Sequence, residues 1–150
     1  MNFTNKEKKI IKNALLIRKT EEKLLALFKD GKVNGTVHTC VGQEFIGAAL
    51  SSVIGDFDTI FSNHRGHGHF LGATNDVEGL IAEVMGKKSG ASKGMGGSQH
   101  LFSDNFLSNG IQGGMMPIAA GYALTKKLSG DDSISILFVG DGTLGEGIFY

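Results

Sequence analysis

The sequence predicts an α/β chain: the N-terminal part of a doubly wound parallel sheet, truncated before the sheet is complete. Three observations carry this expectation. Apolar residues recur at helical spacing in separate stretches near 4–29, 43–53, 76–85 and from Pro117 to a turn at Gly130. Two short runs rich in β-branched or aromatic residues, 58–62 and 133–139, are interleaved with those stretches. The second run is apolar on both faces, as a central parallel strand requires, and breaks at Gly140-Asp141-Gly142-Thr143.

The first stretch opens on Thr4 with Glu7 three residues later, a capping box. Ile10, Ile11, Ala14, Leu15, Ile17, Leu24, Leu25 and Phe28 form its expected apolar face, and Gly31, Asn34 and Gly35 end it, so residues 1–30 read as a leading helix. Residues 38–42 read as a connector, and 43–53 as a second helix with Phe45, Ile46, Ala49 and Leu50 inward. The strand at 58–62 runs into a loop at 63–69. A third helix, 76–85, is expected to be capped by Thr74 or Asn75 and ended by Gly86. Residues 87–109 lack periodicity and read as one long glycine-rich loop covering a ligand or partner. Pro117 suits the first turn of a fourth helix, whose small face, Ala119, Ala120, Ala123 and Leu124, permits close packing on the sheet or on another subunit. Residues 144–150 read as the start of a further helix.

Composition sets limits on function. The 15 basic and 15 acidic residues cancel, so charge gives no reason to expect nucleic acid or an anionic membrane as partner. The lone Cys40 cannot form an internal disulfide and no apolar run approaches the ~20 residues that span a bilayer. A soluble, cytoplasmic protein is expected. With 23 glycines against one proline, the backbone must turn tightly or approach a ligand in many places.

Two stretches carry candidate chemistry. In the terminal turn, Asp141 offers a hard oxygen to magnesium while Gly142 and Thr143 offer amides to an anion; the alternative is that Asp141 merely caps a helix. The 63–69 loop holds His64, Arg65, His67 and His69. Arg65 suits a phosphate by paired hydrogen bonds, and His67 suits proton transfer near neutral pH. Zinc ligation is a weaker alternative, because the histidines are irregularly placed and Cys40 is distant. Gln43 and Glu44 read most simply as residues that complement a helix dipole.

In order along the chain, His38-Thr39-Cys40-Val41-Gly42-Gln43-Glu44, His64-Arg65-Gly66-His67-Gly68, Lys93-Gly94-Met95-Gly96-Gly97-Ser98-Gln99-His100, Asn109-Gly110-Ile111 and Gly140-Asp141-Gly142-Thr143 resemble the α subunit of thiamine-diphosphate-dependent 2-oxoacid dehydrogenases of the pyruvate, branched-chain and acetoin type. The resemblance implies that residues 1–150 are the N-terminal portion of a single thiamine-diphosphate-binding domain. It implies thiamine diphosphate and Mg2+ as cofactors, with Asp141 as metal ligand. His64, Arg65, Gly140, Gly142 and Thr143 would line the diphosphate, Gly110 and Gln112 would meet the aminopyrimidine ring, and His67 and His38 would handle protons in the substrate channel. A small 2-oxo acid or acetoin would be the substrate, a β subunit would complete an α2β2 assembly, and a lipoyl acyltransferase would take the acyl group. The sequence departs from that pattern at His64, where a tyrosine is common, and at Gln112, where an aliphatic residue is usual. A transketolase-type carboligase half and a catalytically inactive assembly module are the alternatives.

Overall fold

The computed structural model describes residues 2–33 and 35–150. Asn34, expected in the turn after the first helix, lies outside the described residues.

Helix α1 (Asn5–Lys29) starts at the expected capping box: the Glu7 amide donates to Thr4 Oγ1 at 3.3 Å and the Thr4 amide to Glu7 Oε2 at 2.7 Å. Its buried stripe is Ala14, Ile17, Thr20, Glu21, Leu24 and Leu27. Leu15, Leu25 and Phe28, expected inward, face outward because that stripe leaves them on the flanks. Helix α2 (Glu44–Leu50) is shorter than expected, and its inward face is also different. Glu44, Gly47, Ala48 and Leu50 are buried while Phe45 and Ile46 are exposed, because α2 approaches its neighbour through small residues.

That neighbour is α3 (His67–Thr74), which occupies much of what the sequence presents as a loop. A Cβ added at Gly47 would stand 2.0 Å from the Gly68 carbonyl oxygen, and one at Gly72 would stand 2.1 Å from that of Gly47. The two backbones therefore touch directly, which only glycine permits. Helix α4 (Val77–Val84) follows, capped by Asp76, whose Oδ1 accepts from the Gly79 amide at 2.8 Å. Asn75, one of the two residues expected to cap α4, instead closes α3 in the left-handed region with φ 56°.

The sheet has the order β2-β3-β1-β4. Strand β1 (Thr59–Ser62) is central and pairs in parallel with β3 (Phe106–Ser108) and with β4 (Ser135–Leu137). Strand β2 (Phe102–Ser103) pairs antiparallel with β3, because the two-residue turn between them allows nothing else. The sheet is therefore mixed rather than wholly parallel, and β2 and β3 lie inside the stretch read as a loop. Strand β4 was expected at the centre; among the described residues it is an edge strand, half-buried along its length.

Alternation along β1 places its residues in two layers. Ile60 joins Phe70, Leu80, Phe106 and the stripe of α1 on one side. Phe61 packs with Met115 and Ala119 of α5 (Met115–Ser129) on the other, so both sheet faces are covered. Of the small face expected on α5, Ala119 is buried while Ala120, Ala123 and Leu124 point outward. After β4 the chain forms two short 3-10 turns, Asp141–Gly145 and Gly147–Phe149, where the sequence suggested the start of an α-helix. No helix among the described residues is long and apolar enough to cross a membrane.

Candidate functional site

The loops leaving the carboxyl ends of β1, β3 and β4 converge, and a cleft of about 340 Å³ opens between the first and the last. In α/β sheets ligands bind at this edge, where the connections diverge to either side of one strand. Here the chain passes from β1 to its neighbour β3, then returns across β1 to β4. The cleft is lined by His64 and Arg65 from one loop, by Gly140 and Asp141 from the other, and by Gln43 and Ile46 of the α2 entrance.

Arg65 is exposed, with its amide donating to Asn63 Oδ1 at 3.0 Å and its Nη1 to the Thr39 carbonyl at 2.8 Å. One of its five donors is thus engaged and the others are available to an anion. His64 packs edge-on against His38, with ring centroids 4.9 Å apart. Burial, then the nearby His38 and Arg65, push the His64 pKa below the ordinary histidine value. Its Nδ1 meets the Gln112 side-chain amide, and Gln112 Oε1 accepts from Thr143 Oγ1 at 3.3 Å. Gln112 therefore ties together the loops after β1, β3 and β4.

Asp141 is exposed and lines the same cleft, and Gly142 is open, with nothing within 4 Å of a Cβ position. Thr143 differs from expectation: its amide already donates to the Gly140 carbonyl at 3.0 Å, closing the 3-10 turn, so its contribution is the hydroxyl on Gln112. Gly110 lies outside the cleft, with Gln99 Oε1 filling the space where a Cβ would stand. The floor is His69, stacked on Phe138 at 3.7 Å and hydrogen-bonded through Nδ1 to Ser62 Oγ at 2.8 Å. Burial holds the His69 pKa down to about 4, so the ring is neutral at physiological pH.

A model of the dehydrogenase E1 component family matches residues 12–150. The chain belongs to the dehydrogenase E1 component family. It is 40% identical over 139 residues to the alpha subunit of acetoin:2,6-dichlorophenolindophenol oxidoreductase of Bacillus subtilis (strain 168), covering 91% of this chain and 42% of the relative. It is 36% identical over 145 residues to the pyruvate dehydrogenase E1 component subunit alpha of Rickettsia prowazekii (strain Madrid E), covering 95% of this chain and 44% of the relative. The mitochondrial pyruvate dehydrogenase E1 component subunit alpha of Saccharomyces cerevisiae is 36% identical over 137 residues, 91% of this chain and 33% of the relative. The chain thus spans less than half the length of the curated relatives it matches.

Two histidines of this E1 chain part company. His38 is half-buried beside His64 at the edge of the cleft. His67, expected in a substrate channel, is fully enclosed: Nδ1 faces both oxygens of Glu21 at 3.1 and 3.2 Å, and Nε2 lies 2.9 Å from Ser98 Oγ. Both nitrogens are engaged and no surface is exposed in this arrangement. The first turn of α3 carries it inward, away from Arg65. The loop histidines therefore have separate surroundings, and no group of three or more metal-ligating side chains occurs among the described residues.

Glu21 and Glu83 of the E1 chain were not among the expected site residues, and Glu44 does more than complement a helix dipole. Glu83 is fully buried and accepts four backbone amides of the glycine-rich loop, those of Ser92, Gly94, Gly96 and Gly97, at 2.7 to 3.1 Å. Glu44, read as a dipole complement, binds Arg18 Nε at 2.6 Å and the Gly42 amide at 2.8 Å, and Arg18 is the first cause that holds its carboxyl at about 2. Glu21 bonds His67 and the Cys40 amide, and its carboxyl sits below the usual range. Burial alone would raise the Glu21 pKa; the hydrogen bonds and charge from His67 together outweigh it. A usable signal existed for Glu21, a charged residue at a buried position of the α1 period, three before Leu24 and four after Ile17.

Proposed function

We propose that this chain carries the diphosphate side of the cofactor site in the α subunit of a thiamine-diphosphate-dependent 2-oxoacid or acetoin dehydrogenase. One observation supports it above others: Arg65 and Asp141, from loops far apart in sequence, line one cleft at the carboxyl edge of the sheet. The fit is chemical. Arg65 keeps free donors for phosphate oxygens, Asp141 keeps an exposed carboxylate for Mg2+, and the open Gly142 lets a ligand approach the backbone. Magnesium commonly takes one or two carboxylates and completes its shell with phosphate oxygens and water, so a single carboxylate here is sufficient for a first anchor.

When bound, thiamine diphosphate supplies the carbon nucleophile and electron sink for loss of carbon dioxide from a 2-oxo acid. The residues of this chain hold and orient. Arg65 would offset phosphate charge, Asp141 would anchor the metal, Gln112 ties together the loops beside the cleft, and His64 with His38 would handle protons at its rim. Gly110, outside the cleft, leaves room for the Gln99 side chain. His67 acts from the interior, as a prop for the α3 entrance. Residues 1–150 belong to a single domain, with α1 as its leading helix, within the doubly wound fold of such enzymes.

The relatives named as alpha subunits support a β subunit as partner; an α2β2 assembly and a lipoyl acyltransferase that receives the acyl group complete the proposal. Calorimetric titration of the α chain with its β subunit, using thiamine diphosphate and Mg2+, tests the reading. Saturable heat that requires Mg2+ and weakens in Arg65→Ala is the expected result; the absence of saturable heat would favour an inactive assembly module. Product from a sugar phosphate, with none from lipoamide, would point instead to a carboligase.

A further inference from the structure

Glu21 and Glu83 are both fully enclosed carboxylates, and Glu21 has a short path to the cleft. Its Oε1 accepts from the Cys40 amide at 3.0 Å. A trans peptide unit is rigid and planar, with its N–H and C=O pointing in opposite directions. The Cys40 N–H shares its plane with the Thr39 carbonyl, and that carbonyl accepts from Arg65 Nη1 at 2.8 Å. One rigid plate therefore has Glu21 on one edge and Arg65 on the other.

We infer that Glu21 is a positioning residue for the Arg65 guanidinium, acting through the Thr39–Cys40 peptide plane. The inference rests on the reading of Arg65 as the cation that meets the cofactor diphosphate. Three observations bear on it. The guanidinium has no other hydrogen-bond partner among the described residues, so the Thr39 carbonyl alone restrains an otherwise exposed side chain. Glu21 is itself held, since His67 clamps it while Ser98 fixes the far side of the ring. Cys40 is locked against α3, its Sγ only 2.8 Å from where a Cβ on Gly68 would stand. The plate can then turn only about its flanking dihedrals, and the Glu21 carboxylate stops that rotation. A leucine would fill the same interior space at a lower desolvation cost, so the carboxylate's distinctive contribution is its directed acceptors.

The test uses the full chain with three substitutions. Glu21→Leu removes the acceptor, Glu21→Gln keeps one oxygen for the Cys40 amide, and Glu21→Asp withdraws the carboxylate by one methylene. The first readout needs no ligand: rotation of the Arg65 guanidinium, followed by 15N NMR, is hindered in the parent and in Glu21→Gln and fast in Glu21→Leu. Fast rotation in Glu21→Asp gives the same answer if the leucine variant does not fold. Unchanged rotation in whichever of these two folds overturns the inference. The second readout is affinity for inorganic diphosphate with Mg2+, which we expect to fall about 10-fold in Glu21→Leu and to be largely restored in Glu21→Gln, as for other residues that orient a ligand-binding group. In an Arg65→Ala background Glu21→Leu adds no further loss; losses that multiply would mean a general structural effect and would also overturn it. If Arg65→Ala binds diphosphate normally while Glu21→Leu frees the guanidinium, the cofactor reading fails and the positioning role stands.

Discussion

Replacing Glu83 with alanine removes the acceptor of four backbone amides at once. Each hydrogen bond to a charged group contributes roughly 1.5–3 kcal/mol, and each buried donor left without a partner costs a comparable amount. Simple addition over the amides of Ser92, Gly94, Gly96 and Gly97 would rival the ~5–15 kcal/mol that holds a whole domain together. The chain has a cheaper response, which is to let the loop open to water. We therefore expect Glu83→Ala to lower unfolding stability by about 3–4 kcal/mol, near the upper end for single substitutions. The exchange of those amides should accelerate far more than that of α1. Glu83→Gln should fall between, because one oxygen still accepts while its NH2 group faces amides that also donate. Urea unfolding followed by fluorescence gives the first number, and amide hydrogen exchange resolved over residues 90–97 gives the second. A loss below about 1 kcal/mol with unchanged protection of the loop would show that Glu83 does not hold these amides, since even one buried unsatisfied donor costs about 1–3 kcal/mol.

Further outcomes follow from other contacts. Gly47→Ala should separate α2 from α3 and cost more than about 2 kcal/mol, because its Cβ would stand 2.0 Å from a rigid carbonyl oxygen; a thermal midpoint equal to the parent's would contradict direct backbone packing. His69 is half-buried and neutral, its folded pKa depressed from 6.5 to about 4, so between those values the unfolded chain binds the extra proton. Stability should accordingly fall as pH drops through that window, and His69→Gln should flatten the slope; an unchanged pH profile in the variant would show that other groups set it. Cys40 is 4% exposed and burial pushes its thiol pKa well up, so it should resist a thiol reagent in the folded chain and react on unfolding; rapid labelling of native protein would contradict its packing on Gly68.

The parts of the fold that were legible are those set by local signals. Thr4 and Glu7 announced the start of α1, the β-branched run announced β1, and Gly140-Asp141-Gly142 announced the turn after β4. Helix α3 escaped because His67-Gly68-His69 with Gly72 has little helical propensity and no capping side chain. It is helical because Gly68 and Gly72 let it lie directly on α2. The same contact turned Phe45 and Ile46 outward, since a small face rather than the larger side chains was buried. At the cleft, Arg65 and Asp141 could be read as candidates from residue type and motif order. The roles of Glu21 and Glu83 depend on partners distant in sequence or on a loop without periodicity, so local chemistry gave them no function. His67 illustrates the limit: its residue type suited proton transfer, and only the burial of both nitrogens placed it in the interior.

Asp141→Ala gives the most direct test of the cofactor site. Thiamine diphosphate is titrated calorimetrically into the parent and variant α chains, each assembled with the β subunit, with and without Mg2+. The parent should bind with an affinity that depends on Mg2+, and the variant should lose this dependence together with most of its affinity. Binding to the variant that matches the parent, with its Mg2+ dependence intact, would contradict the assignment of Asp141 as the metal anchor and of this cleft as the cofactor's diphosphate site.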